Sequence, residues 1–302
     1  MSRPLCIGLD VGGSKTELLA SRSGDDERIR LTGPGANIQR IGIEASAHTL
    51  ADLIQRALRQ YAAPQLASVC AGIAGAGRAR DQDALGQHLL TLLDLSPAPH
   101  VQIVHDAQIA LEAAFNEGSG MIVIVGTGSV VFARTQDGTL MRTGGWGYLL
   151  GDEGSGFALG QSGLRAVAHA IDGGPPTMLQ QQVADQYGLD TRDQLIHQVY
   201  QHDWPMQDVA PLVIEAALDG DAVARQIVED QTDQLTCQVE WLIGRCDETE
   251  PRIALMGGLI RETHYASVLQ QTLRERLPNW SVQTLDQRPV VGALRLAARM
   301  PA

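Results

Sequence analysis

Short apolar runs that stop at glycines recur along the chain, and stretches with apolar residues at helical spacing separate them. Runs of this length, rich in β-branched residues, predict buried strands, and the spacing between them predicts amphipathic helices. The predicted strands are Leu5–Leu9, Glu17–Ala20, Ile29–Leu31, Ala67–Ala74, Val101–Val104, Met121–Val125, Val130–Arg134, Ile253–Met256 and Val282–Leu285. The predicted helices are Glu44–Tyr61, Asp81–Leu93, Ala107–Phe115, Ser155–Ile171, a wholly helical stretch over 175–243, a helix resuming by His264, and Val290–Arg299.

The start of the chain has a counterpart near its middle. A strand, a glycine turn and a second strand occupy 5–20, and the same layout returns at 121–134. Two glycine-tipped hairpins that open two successive α/β halves predict an internally duplicated fold. We expect each half to present its hairpin to a shared cleft.

Composition limits the functions that remain. A chain of 302 residues with 44% hydrophobic residues can form two domains or one large α/β unit. The net charge of −12 argues against a nucleic-acid partner, which would need a cationic surface. No apolar run approaches the ~18 residues of a membrane span, and no signal-peptide pattern is evident, so a cytoplasmic protein is expected. The four cysteines form no C-x-x-C pair, which argues against a zinc site.

The first glycine turn carries groups suited to phosphate binding. Asp10 ends the first strand and could bind Mg²⁺ through water. The turn is neither a Walker A loop nor a Rossmann fingerprint, because no helix follows the glycines. A plain hairpin turn is the alternative interpretation. The turn offers free backbone N–H groups at Gly12, Gly13 and Ser14 and hydroxyls at Ser14 and Thr16.

Two polar residues stand where a loop meets a predicted helix. Asn37 lies at the mouth of one helix, where turn or cap chemistry explains it as well as ligand binding does. Asp106 follows a strand and is a plausible N-cap, yet a residue there can also face a ligand at the carboxyl ends of strands. His105 is read as a structural neighbour of Asp106.

The stretch from Met121 to Gly160 is the richest in candidate chemistry. Its glycine turn, Gly126-Thr-Gly-Ser129, allows close approach of backbone amides to a phosphate. The following Gly144–Gly156 segment combines glycines, an aromatic residue (Trp146) and a carboxylate pair (Asp152 and Glu153). Amides, carboxylates and an aromatic ring together suit a polar small-molecule site.

Four motifs carry a family resemblance: D-V-G-G-S-K-T at Asp10, G-T-G-S at Gly126, G-G-W-G-Y-L-L-G-D-E-G-S at Gly144 and M-G-G at Met256. They resemble the N-acetylglucosamine kinase and BadF/BadG/BcrA/BcrD ATPase family over nearly the whole chain. The resemblance implies the duplicated, ribonuclease H-like α/β fold of actin-like ATPases and hexokinases, with two domains and a cleft. The expected limits are 1–106 and 107–288, a helical insert at about 175–245, and a closing helix at 289–302 packed on the first domain.

The resemblance also implies an ATP- and Mg²⁺-dependent kinase that phosphorylates O6 of N-acetylglucosamine or glucosamine. Asp106 would be the general base, and Asp10 would lie near Mg²⁺. The residues implied to line the sugar are Asn37, Ser129, Gly145, Trp146 and Asp152. Gly13, Ser14 and Thr127 would contact the phosphates of ATP, and Gly257 and Gly258 would flank the adenosine. Gly12, Thr16 and Gly128 are the other residues expected at the nucleotide.

Three other functions are compatible with a fold of this kind and are weighed against the kinase function. ROK-type sugar kinases resemble this fold but carry a C-x-C-G-x-x-G-C zinc motif, which is absent. ATPase activators of 2-hydroxyacyl-CoA dehydratases and benzoyl-CoA reductases, within the same family, hold an iron–sulfur cluster through cysteines. Cys6 and Cys70 look buried in strands, which disfavours that function. A catalytically silent sugar sensor is a third alternative. The amino sugar itself stays open, and a homodimer is compatible with the fold.

Overall fold

The computed structural model describes residues 4–22, 28–61, 65–76, 78–201, 204–246 and 248–301. Gly77, which follows the predicted strand Ala67–Ala74, and Ala302, the end of the predicted closing helix, lie outside the described residues. The chain divides into two compact units, Met1–Gly118 with Gln287–Ala302 and Ser119–Asp286. No helix among the described residues is long and apolar enough to cross a bilayer.

The first unit is a five-stranded sheet with helices on both faces. Its sheet order is β3-β2-β1-β4-β5, antiparallel from β3 to β1 and parallel from β1 to β5. The strands are β1 Leu5–Val11, β2 Lys15–Arg22, β3 Arg28–Pro34, β4 Leu66–Ile73 and β5 His100–His105. The helices are α1 Ile38–Ile41, α2 Ile43–Gln60, α3 Ala79–Leu93, α4 Asp106–Phe115 and α11 Pro289–Arg299.

Strand side chains alternate between two cores. Leu5, Ile7 and Leu9 pack with the buried face of α2, while Cys6 points the other way and joins a core formed with α4 and α11. Helix α11 is fastened there by a hydrogen bond from Ser68 Oγ to Ala297 O at 2.7 Å. Helix α11 therefore covers one face of the first unit's sheet.

The second unit repeats the arrangement. Its sheet order is β10-β9-β6-β7-β8, antiparallel between β6, β7 and β8 and parallel between β6, β9 and β10. The strands are β6 Gly120–Val125, β7 Ser129–Arg134, β8 Leu140–Gly144, β9 Arg252–Met256 and β10 Ser281–Thr284. The helices are α5 Gly156–Ile171, α6 Met178–Tyr187, α7 Arg192–Gln201, α8 Ala210–Leu218, α9 Ala222–Ile243 and α10 Thr263–Arg276.

The predicted duplication is confirmed, because both sheets place three antiparallel strands before two parallel ones. The predicted strands and helices are also confirmed, with shifts of one or two residues at most ends. The short helix α1 and the strand β8 were not predicted. The predicted domain limit at residue 106 stays a prediction; α4, which follows that limit, packs on α11 within the first unit.

Candidate active site

In the first unit the candidate groups gather where the parallel strands end. The register pairs Val11 with Ile73 and Ile73 with His105, so β1, β4 and β5 end side by side. The glycine turn, the loop at Gly75 and the start of α4 therefore share one edge of the sheet. In open α/β sheets this carboxyl edge is where ligands bind.

Asp10 occupies an acidic and partly buried position at this edge. Burial is the main reason that its pKa rises from 3.8 to about 6, and the negative charges of Asp106 and Glu17 add to the shift, while Lys15 opposes it. Glu17 stands opposite Asp10 in the sheet and is itself buried beside Arg30 and Arg288. The carboxylate of Asp10 therefore has a strong electrostatic preference for a nearby cation.

Asp106 is the first residue of α4, and its side chain is about one-third exposed. Its Oδ1 accepts a hydrogen bond from Ala107 N–H at 2.8 Å and lies 2.7 Å from His105 Nδ1. The prediction that Asp106 is the N-cap is wrong, because His105 holds the extended cap position and Asp106 is already helical. Oδ2 of Asp106 has no hydrogen-bond partner within the part of the chain that the structure describes.

The first hairpin tip combines exposed amides with a cation. Gly13 and Ser14 are exposed, and their N–H groups make no hydrogen bond within the described residues. Gly12 closes the turn by donating to Lys15 O at 3.0 Å. Thr16 is fully buried and donates its hydroxyl to Pro34 O at 2.8 Å, so the hydroxyl holds the hairpin to β3.

Arg40 is a basic residue at this tip that the sequence analysis missed. Its Nη1 donates to the carbonyl oxygen of Gly13 at 3.1 Å, which places an exposed guanidinium beside the glycine turn. The sequence signal is that Arg40 lies three residues after Asn37, in the same short segment. A cation here complements an anionic ligand.

Asn37 serves as a helix cap and still offers a donor. Its Oδ1 accepts from Gln39 N–H at 2.8 Å at the start of α1, which bears out the cap interpretation. Its amide NH₂ group has no partner among the residues described and lies beside Gly75. The cap and a ligand contact are therefore compatible.

In the second unit the hairpin and the Asp152 turn are joined directly. Ser129 N–H donates to Asp152 Oδ1 at 3.3 Å, and Ser129 Oγ donates to Glu153 O at 2.7 Å. A Cβ on Gly128 would lie 2.8 Å from Asp152 Oδ2, so this approach requires glycine. The structure therefore brings Gly128, which was expected at the nucleotide, next to Ser129 and Asp152, which were expected at the sugar.

Asp152 is held in an unfavourable backbone and electrostatic environment. Its φ of +66° lies in the left-handed region that non-glycine residues rarely adopt. Burial raises its pKa, Glu153 adds to the rise, and hydrogen bonds from the backbone of Ser129 and Gly147 oppose it. Strain and desolvation at one buried carboxylate are typical of functional positions.

Helices α9 and α10 support this turn through contacts that the sequence analysis did not find. Gln231 Oε1 accepts from Gly154 N–H at 2.9 Å, and Gln238 Nε2 donates to the carboxylate of Glu153. The buried Tyr265 hydroxyl donates to Gly154 O at 2.5 Å. These residues lie about 80 to 110 positions beyond the turn, so no local sequence signal marks them.

The loop between β8 and the Asp152 turn exposes apolar side chains. Gly145 has a φ of +67° and donates its N–H to Ser129 O at 3.2 Å, which ties the loop to the hairpin. The Trp146 ring is 67% exposed, and the Arg142 guanidinium carbon lies 5.8 Å from its centre. Leu149 and Leu150 are also largely exposed. The Trp146 ring, with the Arg142 guanidinium beside it, is therefore exposed to solvent.

The second hairpin tip also offers free amides. The carbonyls of Gly126 and Thr127 accept hydrogen bonds from the first amides of α5, at 2.8 and 3.1 Å. The N–H groups of Thr127 and Gly128 donate no hydrogen bond to any residue that the structure describes. Gly257 follows β9 with a φ of +113° and lies against Val125, so Gly257 and Gly258 adjoin this tip.

The carboxylates fit a magnesium ion that is bound mainly by water and phosphate. No three metal-ligating side chains converge among the described residues, so a cation cage of protein groups is absent there. Mg²⁺ commonly binds through one or two carboxylates, its own waters and substrate phosphates. Asp10 supplies such a carboxylate, next to a tip with exposed amides.

The chain resembles sugar kinases over nearly its full length. An N-acetyl-D-glucosamine kinase of Dictyostelium discoideum is 29% identical over 317 residues, which cover 98% of each chain. An N-acetylmuramic acid/N-acetylglucosamine kinase of Clostridium acetobutylicum is 27% identical over 300 residues, covering 96% of this chain and 97% of the relative. A crystal structure from Chromobacterium violaceum, provisionally assigned as an N-acetylglucosamine kinase, has a TM-score of 0.73 at 25% identity and covers 99% of this chain and 100% of its own.

The duplicated sheets have the topology of the actin-like ATPase and hexokinase fold, as expected from the sequence. The model of the BadF/BadG/BcrA/BcrD ATPase family matches residues 7–297, nearly the entire chain. This chain is a member of the BadF/BadG/BcrA/BcrD ATPase family.

Proposed function

We propose that this protein is an ATP-dependent amino-sugar kinase that phosphorylates O6 of N-acetylglucosamine or glucosamine. The observation that carries the proposal is Asp106, a carboxylate at the carboxyl edge of the sheet with one oxygen held by Ala107 N–H and the other unpartnered in the described chain. The two curated relatives support it, since both are named as kinases that act on N-acetylglucosamine.

Asp106 would orient the sugar hydroxyl and accept its proton as the phosphoryl group is transferred. Phosphoryl transfer asks little covalent chemistry of the protein, which mainly aligns the nucleophile and balances charge. Asn37 would donate its free amide to the sugar. In the second unit the proposed sugar contacts are Ser129, Gly145, Trp146 and Asp152.

The glycine hairpins would bind the nucleotide. Exposed amides of Gly13, Ser14, Thr127 and Gly128 are donors suited to phosphate oxygens. Gly12 would shape the first turn, and Gly257 and Gly258 would lie near the adenosine. Asp10 would hold Mg²⁺ through water, and the metal, when bound, neutralises developing phosphate charge. Thr16 is retained only as a support for the turn, given its bond to Pro34.

The proposal does not choose between an amine and an acetamide at C2 of the sugar. The buried Asp152 would suit the ammonium of glucosamine, whereas the exposed Trp146 ring would suit the methyl group of an acetamide. The C. acetobutylicum relative is named for N-acetylmuramic acid as well. That sugar therefore belongs among the candidate substrates.

Coupled ADP release with Mg-ATP is the direct test. The panel would contain N-acetylglucosamine, glucosamine, N-acetylmuramic acid, N-acetylmannosamine, glucose and no sugar. Strong stimulation by one amino sugar, with phosphate at O6 by NMR of the product, is expected. ATP hydrolysis at the same rate with every sugar and with none would favour the activator function, and sugar binding without turnover would favour a sensor.

Cys6, Cys70 and Cys246 are buried, so these thiols do not support a cysteine-bound cluster.

A further inference from the structure

We propose that His105 is a positioning residue for Asp106. Its Nδ1–H donates to Asp106 Oδ1 and so reserves Oδ2 for the proton of the substrate hydroxyl. This inference deepens the proposed function and rests on it for its catalytic consequence. The contact between His105 Nδ1 and Asp106 Oδ1 is observed within the first unit and does not depend on the proposed function.

The geometry assigns the proton to Nδ1. His105 Nδ1 lies 2.7 Å from Asp106 Oδ1 and 3.1 Å from Ala107 N. If Nδ1 accepted a hydrogen bond from Ala107, its lone pair would face a carboxylate oxygen at 2.7 Å, which is repulsive. Ala107 N–H has a nearer acceptor in Asp106 Oδ1, at 2.8 Å. A protonated Nδ1 resolves both contacts, because one hydrogen bond then joins each donor to Oδ1.

Two donors on Oδ1 orient the carboxylate. The terminal torsion of an aspartate is broad and nearly two-fold, so a single hydrogen bond leaves the carboxylate plane free to turn. Ala107 N–H approaches from the helix, and the His105 ring approaches from the strand end. With both bonds formed, the plane is fixed and Oδ2 faces away from both donors.

Orientation of this kind affects turnover more than binding. A catalytic group displaced by about 1 Å can lose on the order of 10²-fold in rate. The sugar and nucleotide contacts proposed above do not involve His105. Loss of the Nδ1–H bond should therefore lower kcat and leave the two KM values nearly unchanged.

Two substitutions separate positioning from helix capping. His105→Asn places an NH₂ group near the position of Nδ1 and keeps a good N-cap. His105→Ser also caps a helix well, but its side chain ends one bond short of Nδ1. Because asparagine and serine are both good N-caps, the two variants should match each other in thermal unfolding and be no less stable than the parent. We expect His105→Ser to lose about 10-fold or more in kcat and His105→Asn to retain most of it. Equal kcat for parent and His105→Ser would overturn the positioning role.

Nitrogen-15 NMR of the imidazole tests the contact without any activity. The parent should show a protonated Nδ1 at His105, with its signal identified by its absence in His105→Asn. In Asp106→Ala the preference for a protonated Nδ1 should be lost. An unprotonated Nδ1 in the parent refutes the inference. If no sugar stimulates ADP release, the proposed function fails while the NMR result still decides the contact.

Discussion

Asp10→Asn should make the protein more stable and at the same time inactive. The carboxylate at Asp10 has a pKa near 6 in the folded protein and 3.8 as its ordinary value, mainly through burial and then through Asp106 and Glu17. A shift of about 2 units corresponds to about 3 kcal/mol, which is the cost of ionising Asp10 in the native state relative to the unfolded chain. Asparagine keeps the shape and removes that cost.

The gain in stability should depend on pH in a defined direction. Because the native state binds the Asp10 proton more tightly than the unfolded chain does, low pH favours the native state of the parent. The penalty is absent below about pH 4, grows between pH 4 and 6, and is complete above about pH 6. Asp10→Asn should therefore exceed the parent by up to about 3 kcal/mol at pH 8 and match it near pH 4.

Urea unfolding at pH 4, 6 and 8 measures this difference, with coupled ADP release as the measure of activity. Asp52→Asn, on an exposed position of α2, is the matched control for loss of one negative charge. Mg²⁺ with ADP should stabilise the parent more at pH 8 than at pH 5 and should stabilise Asp10→Asn much less. A variant no more stable than the parent at pH 8, or a gain of equal size at pH 4, would refute the electrostatic reasoning.

Three further substitutions probe other contacts. Asp106→Asn should retain binding of sugar and nucleotide by calorimetry and lose about 10² to 10⁴-fold in kcat; a rate close to the parent's would remove Asp106 as the base. Gly128→Ala drives a Cβ to within 2.8 Å of Asp152 Oδ2, so the KM for sugar should rise several-fold, and an unchanged KM would exclude Asp152 from sugar binding. Arg299→Met removes the cation paired with the fully buried Glu112 and should cost about 3–5 kcal/mol in urea unfolding; a loss below 1 kcal/mol would contradict that estimate.

The fold was predictable because its signals are local. Apolar runs that end in glycine define the two hairpins, and their repetition defines the duplication. Strand β8 was not predicted because Leu140–Gly144 is a half-buried edge strand that includes Arg142 and lacks an apolar run. Helix α1 escaped because four residues are too few for a periodic pattern.

The candidate site was predictable only as a set of residues. Ser129 and Asp152 were named together as sugar contacts through the family resemblance, and the hydrogen bond from Ser129 N–H to Asp152 Oδ1 appears only in the structure. The support from Gln231 and Gln238 could not be found, because it depends on how α9 packs. The hydrogen bond of Thr16 could not be predicted for a similar reason: which group a strand-end hydroxyl meets depends on the packing of the neighbouring strand, and here the hydroxyl donates to Pro34 O.

The duplication shows which polar residues the fold itself does not need. In the first hairpin, Asp10 pairs with Glu17 one step before the turn. In the second hairpin, the pair at the corresponding step is Ile124 and Val130. The same topology therefore forms with an apolar pair at this place, and the acidic pair of the first unit brings burial and charge repulsion that raise the pKa of Asp10. Residues that break a local rule without stabilising the fold are expected at functional sites. The contrast between the two hairpins thus supports a functional role for Asp10 independently of any family resemblance.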